Sequence, residues 1–381
     1  MRADGEDTTV RIALPLIRQA FTGGVEKFQN TLACFLAEAG HEVTLLCRSA
    51  EGTPHPAVKI LSHRPPVPGS VLRLWAFDRW VKDQVLIGKF DVVYALGRTT
   101  THDCIRLGGG SHARFMDLME IPLRPWSLAH RHAVTQERRG LTALGCRRIV
   151  ANARMVADDV IRRYNLDSGR VQVIHNGVDL GIYNADLRLG VGAALRRELG
   201  FDDKNQVILF LGHGFARKGL EGTLKAFVQI SIKHPQTRLL VVGTDSRLNW
   251  WKEQAHAAGI ADKVVFLGPR RDAPACFAAA DIYLLPTQYD PFANSTLEAL
   301  ACGLPVITTR MNGGHEVLTD GLDGSVIDPN HEAIAKTLDL WLQPEKLLLG
   351  KTQAILTASK NRLADRMKDT LEMLVSVAEE K

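Results

Sequence analysis

Short apolar runs alternate along the chain with longer stretches whose apolar positions recur at helical spacing, which predicts alternating strands and helices. Val10 to Leu16 reads as a first strand. A helix follows from about Val25 to Ala39, with Phe28, Leu32, Phe35 and Leu36 on one face, and Gly40 ends it before a second strand at His41 to Cys47. Further strands are predicted at Val58–Leu61, Val92–Ala95, Cys104–Leu107, 147–152 and 171–174, with Asp158 to Tyr164 helical. The same alternation resumes at Val207–Leu211, then a helix over Leu220–Ile232, strands at 239–242 and 264–267, and a helix over Ala273–Ala280. After 324–328 the pattern is helical to the end. Strands joined by helices imply right-handed crossovers and parallel sheets, with ligand-binding loops at the strands' carboxyl ends. The irregular stretch Leu180–Leu189 suits a linker between two domains.

The junction around Asp290 and Glu298 organises the second half. Asp281–Leu285 reads as a buried strand and Pro305–Thr308 as another, with a helix between them that Asn294, Ser295 or Thr296 can cap and that Gly303 and Pro305 end. Free amides and the dipole at such a helix start favour an anionic ligand. Asp290 in the loop and Glu298 one turn into the helix can flank a ligand that combines an anion with many hydroxyls. Equally, Asp290 can cap a turn and Glu298 can be a solvated helix residue.

Several glycine-rich loops follow predicted strands. Gly23-Gly24 allows close backbone approach or is a flexible turn, and Gly108-Gly109-Gly110 precedes His112, which can reach into a cleft or be a satisfied loop side chain. Gly212-His213-Gly214-Phe215-Ala216-Arg217-Lys218-Gly219 lacks the Gly-Lys-Ser/Thr order of a Walker loop. Arg217 offers a fork and Lys218 a point charge suited to a diphosphate, and two cations at a helix start oppose the dipole unless an anion is bound. Asn312-Gly313-Gly314-His315-Glu316 forms another such loop.

The 381 residues, 45% of them apolar, suffice for two domains with cores of their own. The net charge of +5 supports neither nucleic-acid nor membrane binding by itself. From Arg114 to Arg148, however, basic residues interleave with Phe115, Leu118, Leu123, Trp126 and Leu128, which suits an anionic membrane surface, a phosphorylated acceptor or a solvated helix face. No apolar run reaches membrane-spanning length and the polar start is unlike a signal peptide, so a cytoplasmic protein is expected. The six cysteines show no metal-ligand spacing and are expected to be reduced.

The spacing Asp290-x7-Glu298 ahead of Gly303-Leu304-Pro305-Val306, together with Arg217-Lys218, resembles the signature of the retaining glycosyltransferases of family 4, whose first carboxylate is usually Glu. The resemblance implies an α/β architecture of the GT-B type, two doubly wound Rossmann-like domains facing a cleft. Domain one would be 1–178 with a returning helix at about 361–381, and domain two 179–360. It implies that Asp290 receives hydroxyls of the donor sugar and that Arg217 and Lys218 hold the diphosphate. Phe292, Ala293, Asn294 and Ser295 would approach sugar and diphosphate, and Glu298 the ribose. Gly214, Gly243 and the backbone near Arg270 would line the nucleotide pocket, Gly23 and Gly24 would face donor and acceptor, and His112 would contact the transferred sugar.

Within the family the chain looks most like lipopolysaccharide core glucosyltransferases, which implies a UDP-hexose such as UDP-glucose as donor and a glycolipid or oligosaccharide acceptor. No cofactor and no metal is expected, there being no Asp-x-Asp motif, and peripheral attachment to the inner face of the plasma membrane through 114–148 would fit. Two rivals are a nucleotide-sugar epimerase on the same fold and a non-enzymatic sugar- or lipid-binding protein.

Overall fold

The computed structural model describes residues 9–119 and 128–381. The polar start and Leu123, Arg124 and Trp126 of the basic stretch lie outside the described residues. The chain divides into two compact units, one running to His175 and taking up Arg366–Lys381, the other spanning Asn176–Asp365. Both are Rossmann-like parallel sheets flanked by helices.

The first unit is built from β1 (Arg11–Pro15), a short strand β2 (Arg18–Gln19), α1 (Gly24–Glu38), β3 (Glu42–Cys47), β4 (Ser49–Ala50), β5 (Lys59–Ser62), α2 (Ser70–Gly88), β6 (Val92–Ala95) and β7 (Cys104–Leu107). Then come α3 (His112–Leu118), α4 (Leu128–Leu141), β8 (Arg148–Ala151), α5 (Arg154–Tyr164) and β9 (Val171–Val173). The main sheet has the order β5-β3-β1-β6-β7-β8-β9, all parallel, while β2 and β4 pair by themselves. Ala13, Leu46, Val93, Phe77 and Val81 bury one face of the sheet against α2. The order of connection reverses between β1 and β6, so the loops after these strands diverge and leave a crevice at their carboxyl ends.

The second unit contains α6 (Val191–Glu198), β10 (Gln206–Leu211), the single turn α7 (Phe215–Lys218), α8 (Leu220–Lys233), β11 (Thr237–Val242), α9 (Leu248–Ala257), β12 (Val264–Gly268) and α10 (Ala273–Ala279). It continues with β13 (Ile282–Leu285), α11 (Asn294–Ala301), β14 (Val306–Thr309), β15 (Gly324–Ile327), α12 (His331–Trp341) and α13 (Pro344–Ser359). Its sheet order is β12-β11-β10-β13-β14-β15, again parallel, with the switch between β10 and β13. Phe210, Phe227, Trp251, Ile307, Leu338 and Trp341 dominate its core. Each such aromatic contributes at least about 2 kcal/mol by leaving water. The strands read as continuous apolar runs because both faces are covered by helices.

Leu180–Leu189 is not a linker. It belongs to the second unit, where Arg188 donates to the Ala278 and Ala280 carbonyls and to Asp281 Oδ1 at 2.9 Å. The buried Asp281 also meets Arg196 and Lys351, so these cations fasten the stretch to the end of α10. A last helix, α14 (Leu363–Glu379), buries Met367, Met373, Leu374 and Val377, and its end joins the first unit through Glu380 with Arg148 at 2.6 Å and Cys104 Sγ against Met373 Sδ at 3.8 Å. The cysteines are all unpaired, and burial pushes the thiols of Cys47 and Cys276 up to about 11 and that of Cys302 to about 12.

Candidate functional site

In the second unit the loops after β10 and β13 emerge side by side at the switch point. Gly212 and Gly214 donate their amides to Val242 and Thr244 carbonyls, 3.0 Å each, and the Phe215 amide donates to Asp245 Oδ2 at 2.7 Å. Burial works against the Asp245 carboxylate, yet the Arg247 and Phe215 amides hold it below the usual range. Gly214 adopts φ 72°, which turns the chain into α7. Gly243 is required for a different reason: at φ 130° it lies on the Gly212 carbonyl, which a Cβ there would strike. It keeps β10 and β11 loops in close contact, and its amide is bound to the Gly268 carbonyl at 2.9 Å.

The turn Phe215–Lys218 aims both cations toward the β13 loop. Lys218, 7% exposed, runs its stem over Gly212 and pairs its ammonium with Asp290, while the Arg217 guanidinium sits 3.9 Å from the same carboxylate and donates to the Tyr289 carbonyl at 2.5 Å. The sequence leads to the expectation that a carboxylate and two cations share a site, and in the structure they face each other. Two cations on one carboxylate leave a net positive cluster, suited to a further anion.

Asp290 is pinned through its backbone, its amide on the Met311 carbonyl at 2.8 Å and its carbonyl receiving the Gly313 amide at 2.9 Å. The cap of α11 is Ala293 rather than Asn294, Ser295 or Thr296. Its amide donates to Asn312 Oδ1 at 3.0 Å, so the loop after β14 ties down the residue before the helix, and the three polar side chains serve elsewhere. Ser295 Oγ accepts from the buried Tyr283 hydroxyl at 2.7 Å, Asn294 Oδ1 accepts from Asn176 at 2.6 Å, and Thr296 accepts from Asn312. Phe292 is buried beside them. Glu298 stands half-buried one turn into α11, and the Tyr183 hydroxyl bonds to it; burial first, then Glu298, pushes that phenol up. The Arg270 guanidinium is held by Asp272 at 2.6 and 2.8 Å and by Glu198 at 3.3 Å.

Gly23, Gly24 and His112 belong to the first unit. Gly23, at φ 98°, precedes α1, and Gly24 is its first residue; the Glu26 carboxylate curls back over Gly23 so closely that a Cβ would meet it. Val25 borders Gly108, which brings this loop beside the one leading to His112. Ser111 caps α3, accepting from the Arg114 amide and donating to Glu137 Oε1 at 2.7 Å. Glu137, 4% exposed on α4, also receives the His112 amide at 2.6 Å and the Tyr164 hydroxyl at 2.6 Å. The His112 ring stacks on His130 with centroids 5.2 Å apart, and its Nε2 shares a proton with His130 Nδ1 across 3.0 Å. Burial, then Arg98, lower the His112 pKa, with Glu137 opposing and His130 reinforcing.

Sequence reasoning missed Glu137, read as part of a basic run, and His130 as a partner. The run itself is two helices among the described residues, α3 and α4. On α4, Leu128, Arg131, Arg138 and Arg139 are exposed while Gln136 and Glu137 are buried. No cluster of three or more His, Cys, Asp or Glu placed to hold a metal occurs among the described residues.

Comparison with known proteins bears on both units. The family model described as Glycosyltransferase Family 4 matches residues 22–181, and that described as Glycosyl transferases group 1 matches 193–355. A D-inositol 3-phosphate glycosyltransferase of Salinispora arenicola is 32% identical over 209 residues, 51% of this chain and 47% of that one. Another, from Segniliparus rotundus, is 33% identical over 187 residues, covering 48% and 41%. The match thus spans about half the length of these curated relatives. Among solved structures, WaaG, a glycosyltransferase involved in lipopolysaccharide biosynthesis, superposes with a TM-score of 0.79 at 22% identity over 95% of this chain and 99% of that one. Anabaena Alr3699/HepE in complex with UDP and glucose gives 0.75 at 19% identity over 96% and 99%. The fold is that of GT-B glycosyltransferases, and both halves of the chain match glycosyltransferase families.

Proposed function

We propose that this chain transfers a hexose from a nucleoside diphosphate sugar, UDP-glucose being the first candidate, to a hydroxyl of a glycolipid or oligosaccharide acceptor with retention at the anomeric carbon. The observation that carries the reading is the cluster of Lys218, Arg217 and Asp290 where β10 and β13 diverge, beside the start of α11. An epimerase or a simple binding protein would need neither of the two glycosyltransferase families matched.

In this reading the bond from the anomeric carbon to the diphosphate oxygen breaks, and the bond to the acceptor oxygen forms. The acceptor proton passes to the departing phosphate. Charge grows on the leaving group, where Lys218, Arg217 and the Asn294 and Ser295 amides at the start of α11 stabilise it. Asp290 receives sugar hydroxyls and Glu298, steadied by Tyr183, the ribose. His112, held by Glu137, contacts the transferred sugar. HepE, solved with UDP and glucose, argues by likeness for UDP-glucose and WaaG for a lipopolysaccharide acceptor, whereas the sequence relatives argue for an inositol phosphate acceptor.

Calorimetric titration with UDP, GDP, ADP and their glucose or mannose conjugates, without added metal, tests the donor. Tight binding of one nucleotide is expected; no binding to any would sink the reading. Product analysis with a lipopolysaccharide core and with inositol phosphate then decides the acceptor.

A further inference from the structure

We propose that Asn312 is a positioning residue for the donor sugar and diphosphate, acting through Asp290 and the start of α11 and not by touching the ligand. The inference rests on the donor reading above. Asn312 is fully buried and its amide is saturated. Oδ1 accepts from the Ala293 amide and from the Gly314 amide, both at 3.0 Å; Nδ2 donates to Thr296 Oγ1 at 2.9 Å and Thr308 Oγ1 at 3.1 Å.

Three of these bonds tie the loop after β14 to the residue that enters α11, the first turn of α11 and the end of β14, and the fourth, from Gly314, closes the loop on itself. Only an amide can do this, since it offers an acceptor toward two N–H groups and two donors toward two hydroxyls. Thr308 Oγ1 is committed as a donor to the Leu285 carbonyl at 2.7 Å, so toward Asn312 it can only accept. A carboxylate at 312 would meet a lone pair there. The backbone on either side of Asn312 performs the matching task for Asp290, through the Met311 carbonyl and Gly313 amide. The Asp290 backbone therefore cannot draw away from Lys218 unless the loop after β14 moves as well.

The nucleoside side of the pocket is anchored differently. Gly243 is fixed by Gly212 and Gly268 and the Arg270 guanidinium by Asp272 and Glu198, while Glu298, on α11 itself, has a second hold in Tyr183 that does not pass through Asn312. Loosening Asn312 should thus be felt by the sugar and diphosphate and not by the nucleoside, a distinction that a residue serving only stability would not make.

The test compares UMP and UDP-glucose binding to wild type, Asn312→Ala and the near-isosteric Thr296→Val, with the thermal midpoint of each. Expected is a 10-fold or greater loss of UDP-glucose affinity in Asn312→Ala and about 3-fold in Thr296→Val, with UMP affinity within 2-fold of wild type. Equal losses for both ligands, or no loss for UDP-glucose in a folded variant, overturn the proposal. Should Asn312→Ala not fold, Thr296→Val decides alone, by the same ratio. Wild type that binds neither ligand would instead defeat the donor reading.

Discussion

Lys218 keeps its ammonium out of water because it is paired with the Asp290 carboxylate. Removing it should cost the donor a charge-assisted contact, so Lys218→Ala is expected to weaken nucleotide-sugar binding by about 10- to 100-fold, read by calorimetry. A half-buried carboxylate then faces Arg217 alone, and the thermal midpoint should fall too; Lys218→Ala/Asp290→Asn should recover the midpoint and not the affinity. His102 offers a second single-residue test. It is almost wholly buried, with Nδ1 on Thr99 Oγ1 at 3.0 Å, and burial lowers its pKa to about 4 against the opposing Gly140 carbonyl and Asp103. The unfolded chain binds a proton near pH 6.5 that the folded one refuses, so stability is full above that pH and declines down to about pH 4, by about 3 kcal/mol in all. Urea midpoints measured from pH 7 to pH 4 should show the decline, and His102→Phe should flatten it. An unchanged slope in that variant would assign the acid sensitivity to another group.

At the scale of elements, the strands and most helices were legible because both sheets bury continuous apolar runs and the helices carry one apolar face. Asp290, Lys218 and Glu298 could be picked out by spacing. What spacing could not convey is mutual orientation: that the ammonium lies on the carboxylate, or that α11 is capped from a loop 19 residues away. Glu137 escaped for a related reason, since a lone acid in a basic run looks solvated until Ser111, His112 and Tyr164 are seen to converge on it. The pairing of β10 with β11 makes its own prediction. Gly243→Ala would drive a methyl into the Gly212 carbonyl at a φ that other residues rarely adopt, and a loss of more than about 2 kcal/mol in stability is expected from chemical denaturation. A variant as stable as wild type would mean that the two loops can separate freely.

For the whole molecule, none of the described helices is long and apolar enough to cross a membrane. The first unit nonetheless exposes Leu72, Trp75 and Leu86 along α2, with Arg79 and Lys82 between Trp75 and Leu86, and Leu128 beside Arg131 on α4. Cosedimentation with phosphatidylglycerol vesicles is expected at low salt, with loss in 0.5 M salt and several-fold weakening in Trp75→Ser. Equal binding to neutral vesicles would point away from basic side chains as the attraction. This surface was only half visible in the sequence, where charge alternation around 114–148 drew attention but the exposed face of α2 did not.

The first unit takes its closing helical segment from residues that follow the entire second unit in the chain. On a ribosome, then, order of synthesis and order of completion are reversed. Asn176–Asp365 is ready to fold as a body of its own while the earlier sheet still lacks the helix that covers Cys104 with Met373. The nascent first unit must wait with that face open, which makes it the stage at which a chaperone would have most to hold.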